Sequence, residues 1–204
     1  MTHKGIHSRG YLPHWDFADS VQGITYRLAD AVPAKVVEGW RGEFECLLQS
    51  PDCEISGKAY ADLHCKIAKY EDAGHGCCLL ADLEYAGIFQ EALLDGHGVS
   101  YKLIDWCVMP THVHVLIRLL DATTLGTIVK RWKAGPALQI NRLLERRGSL
   151  WMRDYHDRLI RDLDHFYNAK PYIRNNPVKA ELCEFAEEWR FSSAGFGWDP
   201  EVGS

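Results

Sequence analysis

The sequence predicts an α+β domain in which an antiparallel sheet is covered by helices on one side. Three observations predict it. Strand-like runs appear at "GITYRLAD", "VSYKLIDWCVM" and "HVHVLIRLL", and the alternation in the first marks a strand with one buried face. The last two runs are separated by Pro110 and Thr111 alone, a connection so short that the strands must be antiparallel neighbours. Helical periodicities fall between the runs without a strict βαβα order, which favours α+β over a parallel sheet. With 204 residues, of which 47% are hydrophobic and 11% aromatic, the chain can bury one substantial core, so residues 1–204 read as a single domain.

The elements follow in order. Residues 1–20, rich in His, Pro and aromatics, read as an extended N-terminal arm. In "GITYRLAD", Ile24, Tyr26 and Leu28 alternate with Thr25 and Arg27 to give the first strand. A helical insertion spans 33–76, with Val36, Trp40, Phe44, Leu47 and Leu48 on one helix and Tyr60, Leu63, Ile67 and Tyr70 on a second. Leu79, Leu83, Ala86 and Leu93 mark a third helix, which stops at "DGHG". Beyond the hairpin, Leu125, Val129 and Trp132 start a fourth helix behind Thr123 and Thr124. "AGP" interrupts it, and Pro136 opens a fifth through Ile140, Leu143 and Leu144. "SLWMRDY" reads as a short strand. A last helix begins after Asp162 and Asp164 and runs through Phe166 and Tyr167 toward "YIRNNPVKAEL". Pro171 is either the first residue of a short helix carrying Tyr172 or the point where the helix bends. Residues 185–204 form a C-terminal tail.

Seven cysteines, an odd number with no CxxC, read as buried reduced thiols. A zinc site from His64, Cys65, His75, Cys77 and Cys78 fits no standard finger spacing. No apolar stretch reaches the roughly 18 residues needed to cross a bilayer, so a cytoplasmic location is expected, with no membrane partner. The net charge of −5 is unevenly spread: Ile128 to Arg161 holds nine basic residues against three acidic ones. A basic stripe on an otherwise acidic chain can hold a polyanion at one face, and a solvated helix face is the alternative.

"CVMPTHVHVLIRL" carries His112 and His114 two positions apart in an apolar run. On a strand both imidazoles point to one face while Val113 and Val115 point to the other, which suits two ligands on one ion or two polar positions on a half-buried strand.

"GYLPHWD" with "ITYRLAD", "WCVMPTHVHVLI", "RWKAGPALQINRLLERRGSLWMRDYHDRLIRD", "YIRNNPVKAEL" and "EEWRFSSA" together resemble the REP-associated tyrosine transposases of the single-tyrosine HUH transposase superfamily, in the family's order and over nearly the whole chain. The resemblance implies a ferredoxin-like or RRM-like antiparallel sheet with the histidines on a central strand and a tyrosine on a nearby helix. It implies a metal-dependent endonuclease and strand transferase acting on single-stranded DNA beside hairpins formed by REP-like palindromes. His112 and His114 match the metal-binding pair, Asn176 the third ligand and Tyr172 the nucleophile. Relatives include monomers and homodimers that exchange nucleophile helices.

The residues suit that chemistry. A cation must neutralise the phosphodiester before a nucleophile can approach. Two imidazoles and an amide, without carboxylates, suit Mn²⁺ better than Mg²⁺. A tyrosine nucleophile leaves a phosphotyrosine that a 3′-hydroxyl can reverse. On a continuous helix Tyr172 and Asn176, an i, i+4 pair, share a face; Tyr167 and Tyr155 are weaker rivals. Lys130, Arg131, Lys133, Arg142, Arg146, Arg147, Arg153, Arg158 and Arg161 can track phosphates. Tyr11, His14 and Trp15 on the arm can reach the hairpin. Trp132, Trp151 and Tyr155 either stack on bases or belong to the core. A non-cleaving binder of structured nucleic acid on the same fold is the runner-up.

Overall fold

The centre of the structure is a four-stranded sheet built from β3 (Val21–Arg27), β4 (Tyr101–Val108), β5 (His112–Leu119) and β6 (His156–Leu159). Every pairing is antiparallel and the order is β4-β5-β3-β6. The computed structural model describes residues 5–8, 13–48, 75–120 and 123–201, together with 59, 62, 63, 65, 66, 69 and 70. Helix α1 (Ala34–Leu48) follows β3, α2 (Leu83–Asp95) precedes β4, and α3 (Leu125–Leu143) joins β5 to β6. With α2 and α3 as crossovers, the sheet has the βαββαβ connectivity and strand order of a ferredoxin-like fold.

Strand parity divides the molecule into two layers. From β5, Val113, Val115, Ile117 and Leu119 enter the main core with Ile24, Tyr26 and Leu103 of the sheet, Phe89 and Leu93 of α2, and Ile128 and Trp132 of α3. The opposite parity carries His112, His114 and Leu116. That second face is covered too, because α4 (Leu163–Arg174) lays Phe166, Ala169, Tyr172 and Ile173 against Ile104, Cys107 and Leu116. Helices therefore lie on both faces rather than one. The apolar stripe of α4 needs a cover of its own, and the outer half of the sheet supplies it.

Pro136 does not break α3, which runs unbroken from Leu125 to Leu143. Ile128, Trp132, Pro136 and Ile140 recur every fourth residue, all buried. Burying that stripe outweighs the roughly 3 kcal/mol an interior proline costs. The Trp151 indole also donates to the Lys133 carbonyl at 3.1 Å in the same turn. The strand expected in "SLWMRDY" is displaced to His156–Leu159, and Trp151 contributes only an isolated bridge to Leu28. Lys133 Nζ donates to the carbonyls of Met152 and Arg153 at 2.7 and 3.1 Å, which ties this stretch to α3 instead of the sheet. Pro171 does not open a helix. It lies inside the last turns of α4, whose cap Asp162 accepts from the His165 amide at 2.7 Å.

In the arm, β1 (Gly5–Ser8) and β2 (Pro13–Asp16) form a two-stranded antiparallel ribbon beside β6. In the insertion, Trp40 and Leu63 are buried and Tyr70 meets Trp40 edge-on at 5.5 Å; Tyr60 and Ile67 lie outside the described residues. At the end of α2, Gly96 leaves room for Tyr101, since a Cβ there would lie 2.4 Å from its hydroxyl. The tail packs along the β4 edge. Val108 N donates to the Phe191 carbonyl, Trp189 Nε1 to the Val108 carbonyl and Trp198 Nε1 to the Leu103 carbonyl, so that exposed edge is protected from stray pairing.

The cysteines differ from expectation. Of those described, Cys107 is buried while Cys46, Cys65 and Cys77 are exposed, and all are free thiols; Cys53 and His64 lie outside the described residues. Among the described residues no helix is long and apolar enough to cross a membrane, and no group of three or more His, Cys, Asp or Glu is placed to hold a metal ion.

Candidate active site

The site begins at the first residues of β5. His112 and His114 are 1% and 4% exposed, at neighbouring same-face positions, and their Nε2 atoms approach to 3.0 Å. Each ring is held from behind by a threonine: His112 Nδ1 lies 3.0 Å from Thr111 Oγ1, and His114 Nδ1 lies 2.8 Å from Thr25 Oγ1. Thr25 faces His114 because the β3–β5 register places these two residues opposite each other. The tautomer in which each Nδ1–H donates to its threonine leaves both Nε2 lone pairs converging.

Both imidazoles are neutral. Burial first, and then the adjacent His114 ring, with which it cannot share a second positive charge, and the Arg27 guanidinium hold His112 well below the usual histidine range. His114 is pushed down to about 3, by burial first and then by Arg27 and Lys179. Arg27 is opposite His112 in the register, so a buried guanidinium and two uncharged rings share this end of the sheet.

Helix α4 brings Tyr172 to the same place. Its ring meets His114 edge-on, with centroids 5.7 Å apart at 76°. Asn176 is not on a continuous helix with Tyr172, as its spacing suggested. The helix ends at Arg174, and Asn176 starts a separate turn, α5 (Asn176–Lys179). The two residues still touch across the break, Asn176 Nδ2 donating to the Tyr172 carbonyl at 3.2 Å. Asn176 is fully buried, and its Oδ1 has no hydrogen-bond partner. A buried amide oxygen left unsatisfied is costly, and it fits a cation ligand. The rival Tyr167 is 66% exposed on the outer side of α4, and Tyr155 is buried.

The residues expected to meet DNA divide into two groups. Lys130, Arg131, Arg142, Arg146, Arg147, Arg153, Arg158 and Arg161 are exposed. Arg158 lies on the histidine face, since it pairs across to Gly23, two residues from Thr25, and Arg161 sits over the half-buried Trp15 ring at 5.7 Å. Lys133 instead spends its ammonium on the carbonyls of Met152 and Arg153, and burial lowers it to about 8. His14, 1% exposed, is clamped by Asp157 on Nδ1 and by Asp154 at 3.1 Å on Nε2; it pins the arm to β6 and offers no ring to a base. Trp132, Trp151 and Tyr155 are core residues. Tyr11 lies outside the described residues.

Sequence reasoning missed Thr25, Thr111, Lys179 and Asp105. The first two were legible only as a polar position in a strand and a loop residue before it, and the last two needed the tertiary fold.

Residues 84–176 match the family model of the IS200-like transposases. The chain resembles the REP-associated tyrosine transposases. His112, His114, Tyr172 and Asn176 all fall within the matched segment. A Haemophilus influenzae protein named as a REP-associated tyrosine transposase is 28% identical over 103 residues, covering 46% of this chain and 58% of that protein. A second, uncharacterized protein of the same organism is 25% identical over 99 residues, covering 38% and 54%. The chain thus spans little more than half the length of these curated relatives. A solved REP-associated tyrosine transposase bound to a REP hairpin shares the fold at a TM-score of 0.55, with 14% identity over 90% of this chain and 81% of the other.

Proposed function

We propose that this chain is a single-stranded DNA endonuclease and strand transferase, a transposase that cleaves beside DNA hairpins through a covalent 5′-phosphotyrosine on Tyr172. The observation that carries the reading is the orphaned, buried Oδ1 of Asn176, in a residue that touches Tyr172, whose ring meets His114, whose Nε2 in turn faces that of His112. His112, His114 and Asn176 would hold a divalent ion, Mn²⁺ more comfortably than Mg²⁺ because the donors include no carboxylate. When bound, such an ion supplies Lewis-acid relief of phosphate charge.

The chain's own residues do the rest. Thr25 and Thr111 fix the ring planes so that both Nε2 atoms point inward. Tyr172 supplies the nucleophile from a helix anchored against the sheet. Its oxygen attacks phosphorus, the 3′-oxygen leaves and takes up a proton, and the phosphotyrosine keeps the bond energy for a later 3′-hydroxyl. Between α4 and the arm, the β3–β6 half of the same face exposes Arg158, with Arg161 and Trp15 close by, a basic and aromatic border suited to an unpaired strand.

Incubating the full chain with Mn²⁺ and an end-labelled hairpin bearing a single-stranded flank tests this. A denaturation-resistant protein–DNA adduct is expected from the native chain and none from Tyr172→Phe. Tight binding without adduct, in Mn²⁺ and again in Mg²⁺, overturns the reading in favour of a non-cleaving binder.

A further inference from the structure

Lys179 closes α5, one turn past Asn176. That turn is firmly set: Asn176 and Pro177 are buried, and the amides of Lys179 and Ala180 donate to the carbonyls of Asn175 and Asn176 at 3.0 Å each. The Lys179 ammonium consequently hangs over the Tyr172 ring, 4.5 Å from its centroid. Its charge also reaches the sheet, where it is one of the influences holding His114 neutral.

Among the described residues no carboxylate pairs with Lys179. Its neighbours on α4 are otherwise engaged, since Lys170 and Arg174 both turn to Asp105. A cation–π contact at an exposed site is weak, so the ring alone leaves the ammonium free to take an anion. Two neutral imidazoles, a phenol and an amide carry no formal charge, and Arg27, paired across to His112, is buried.

The geometry points to Lys179 as a further catalytic residue, one that pairs with a non-bridging oxygen of the scissile phosphodiester while Tyr172 attacks. This rests on the proposed nuclease reading. In the step, the Tyr172 oxygen–phosphorus bond forms and the bond from phosphorus to the 3′-oxygen breaks. The phenolic proton goes to solvent and the departing oxygen acquires one. Lys179 keeps its protons and acts by charge alone, where negative charge builds on the phosphoryl oxygens.

Single-turnover adduct formation by the full chain, with saturating Mn²⁺ and excess protein over the labelled hairpin, tests the assignment. Lys179→Met should slow adduct formation by about 10²-fold, the usual effect of removing one such group, with hairpin affinity within about threefold of native. Lys179→Arg should recover most of the rate. Lys179 is exposed, so both variants should melt like the native chain, and Lys179→Gln repeats the test should Met perturb folding. Native rates in Lys179→Met and Lys179→Gln would overturn the assignment, as would a loss that disappears at saturating protein, which marks an ordinary binding contact. A native chain that forms no adduct overturns the nuclease reading itself and this assignment with it.

Discussion

Asp105 Oδ1 accepts a hydrogen bond from Arg174 Nε at 2.6 Å, two residues beyond Tyr172. Asp105 is fully buried, and the same oxygen takes the Ser193 hydroxyl at 2.6 Å while Lys170 Nζ lies 3.8 Å from Oδ2. The carboxylate reaches this position because the β4–β5 register shifts between Leu103 and Asp105, a bulge that re-aims a side chain. One group thus joins the sheet, the tyrosine helix and the short C-terminal helix α6 (Ser193–Phe196). Asp105→Ala should cost about 3–5 kcal/mol, as removal of one partner of a buried pair does, and Arg174→Gln about 1–3 kcal/mol. In denaturant titrations the double variant should cost clearly less than the two singles added. Strict additivity would show that the two side chains do not act together.

Thr25 should matter to metal binding although it is no ligand. It fixes the His114 ring through Nδ1, and loss of such a support typically costs about 10–100-fold in metal affinity. Thr25→Val should weaken Mn²⁺ binding by that order in an electron paramagnetic resonance titration, and Asn176→Ala at least as much. Native affinity in both variants would remove Asn176 from the ligand set and Thr25 from its support.

The arm should be a pH-dependent contributor to stability. Burial opposes the His14 charge, but Asp154 and Asp157 outweigh it and push His14 up to about 9, above the roughly 6.5 of an unfolded histidine. A raised value means stability present in full below about pH 6.5 and lost as pH climbs through about 9. Comparing native and His14→Gln melting temperatures from pH 6 to 9.5 should show a native advantage that shrinks as pH rises. Lys133, lowered to about 8, acts in the opposite sense, is common to both proteins and cancels in the difference. A constant gap across the range would refute the clamp.

Helix α3 is capped from far away in sequence: Asp16 Oδ1 accepts from the Leu125 amide at 3.1 Å, and Thr124, the local cap, makes no side-chain cap bond. Asp16→Ala should destabilise by about 0.5–2 kcal/mol and Asp16→Asn by less, because an amide oxygen still accepts. Calorimetry with equal losses for the two variants would argue against capping.

Much of this was legible in local pattern. Parity alone places His112 and His114 on one face, and the two-residue gap at Pro110 forces the hairpin that carries them. What was illegible depended on distant partners. Pro136 reads as a break because its local cost is visible and the buried stripe through Ile128, Trp132 and Ile140 is decided only by packing against the sheet. "SLWMRDY" has the composition of a strand, yet Lys133 draws its backbone away. His14 looks like a free aromatic on a polar arm until Asp154 and Asp157 arrive from 140 and 143 residues later. Asn176 meets Tyr172 across a helix break that i, i+4 spacing does not foresee.

The central claim is that Tyr172, and no other tyrosine, takes the phosphate. Trypsin releases residues 162–174 as one peptide, because the Lys170–Pro171 bond resists cleavage, and that peptide carries Tyr167 as well as Tyr172. Fragmentation of the nuclease-trimmed adduct by mass spectrometry separates them. The account predicts a nucleotide mass on Tyr172 that is absent when the metal is chelated or when His112 and His114 are replaced by alanine. A nucleotide on Tyr167, or an adduct that survives loss of both histidines, would contradict it.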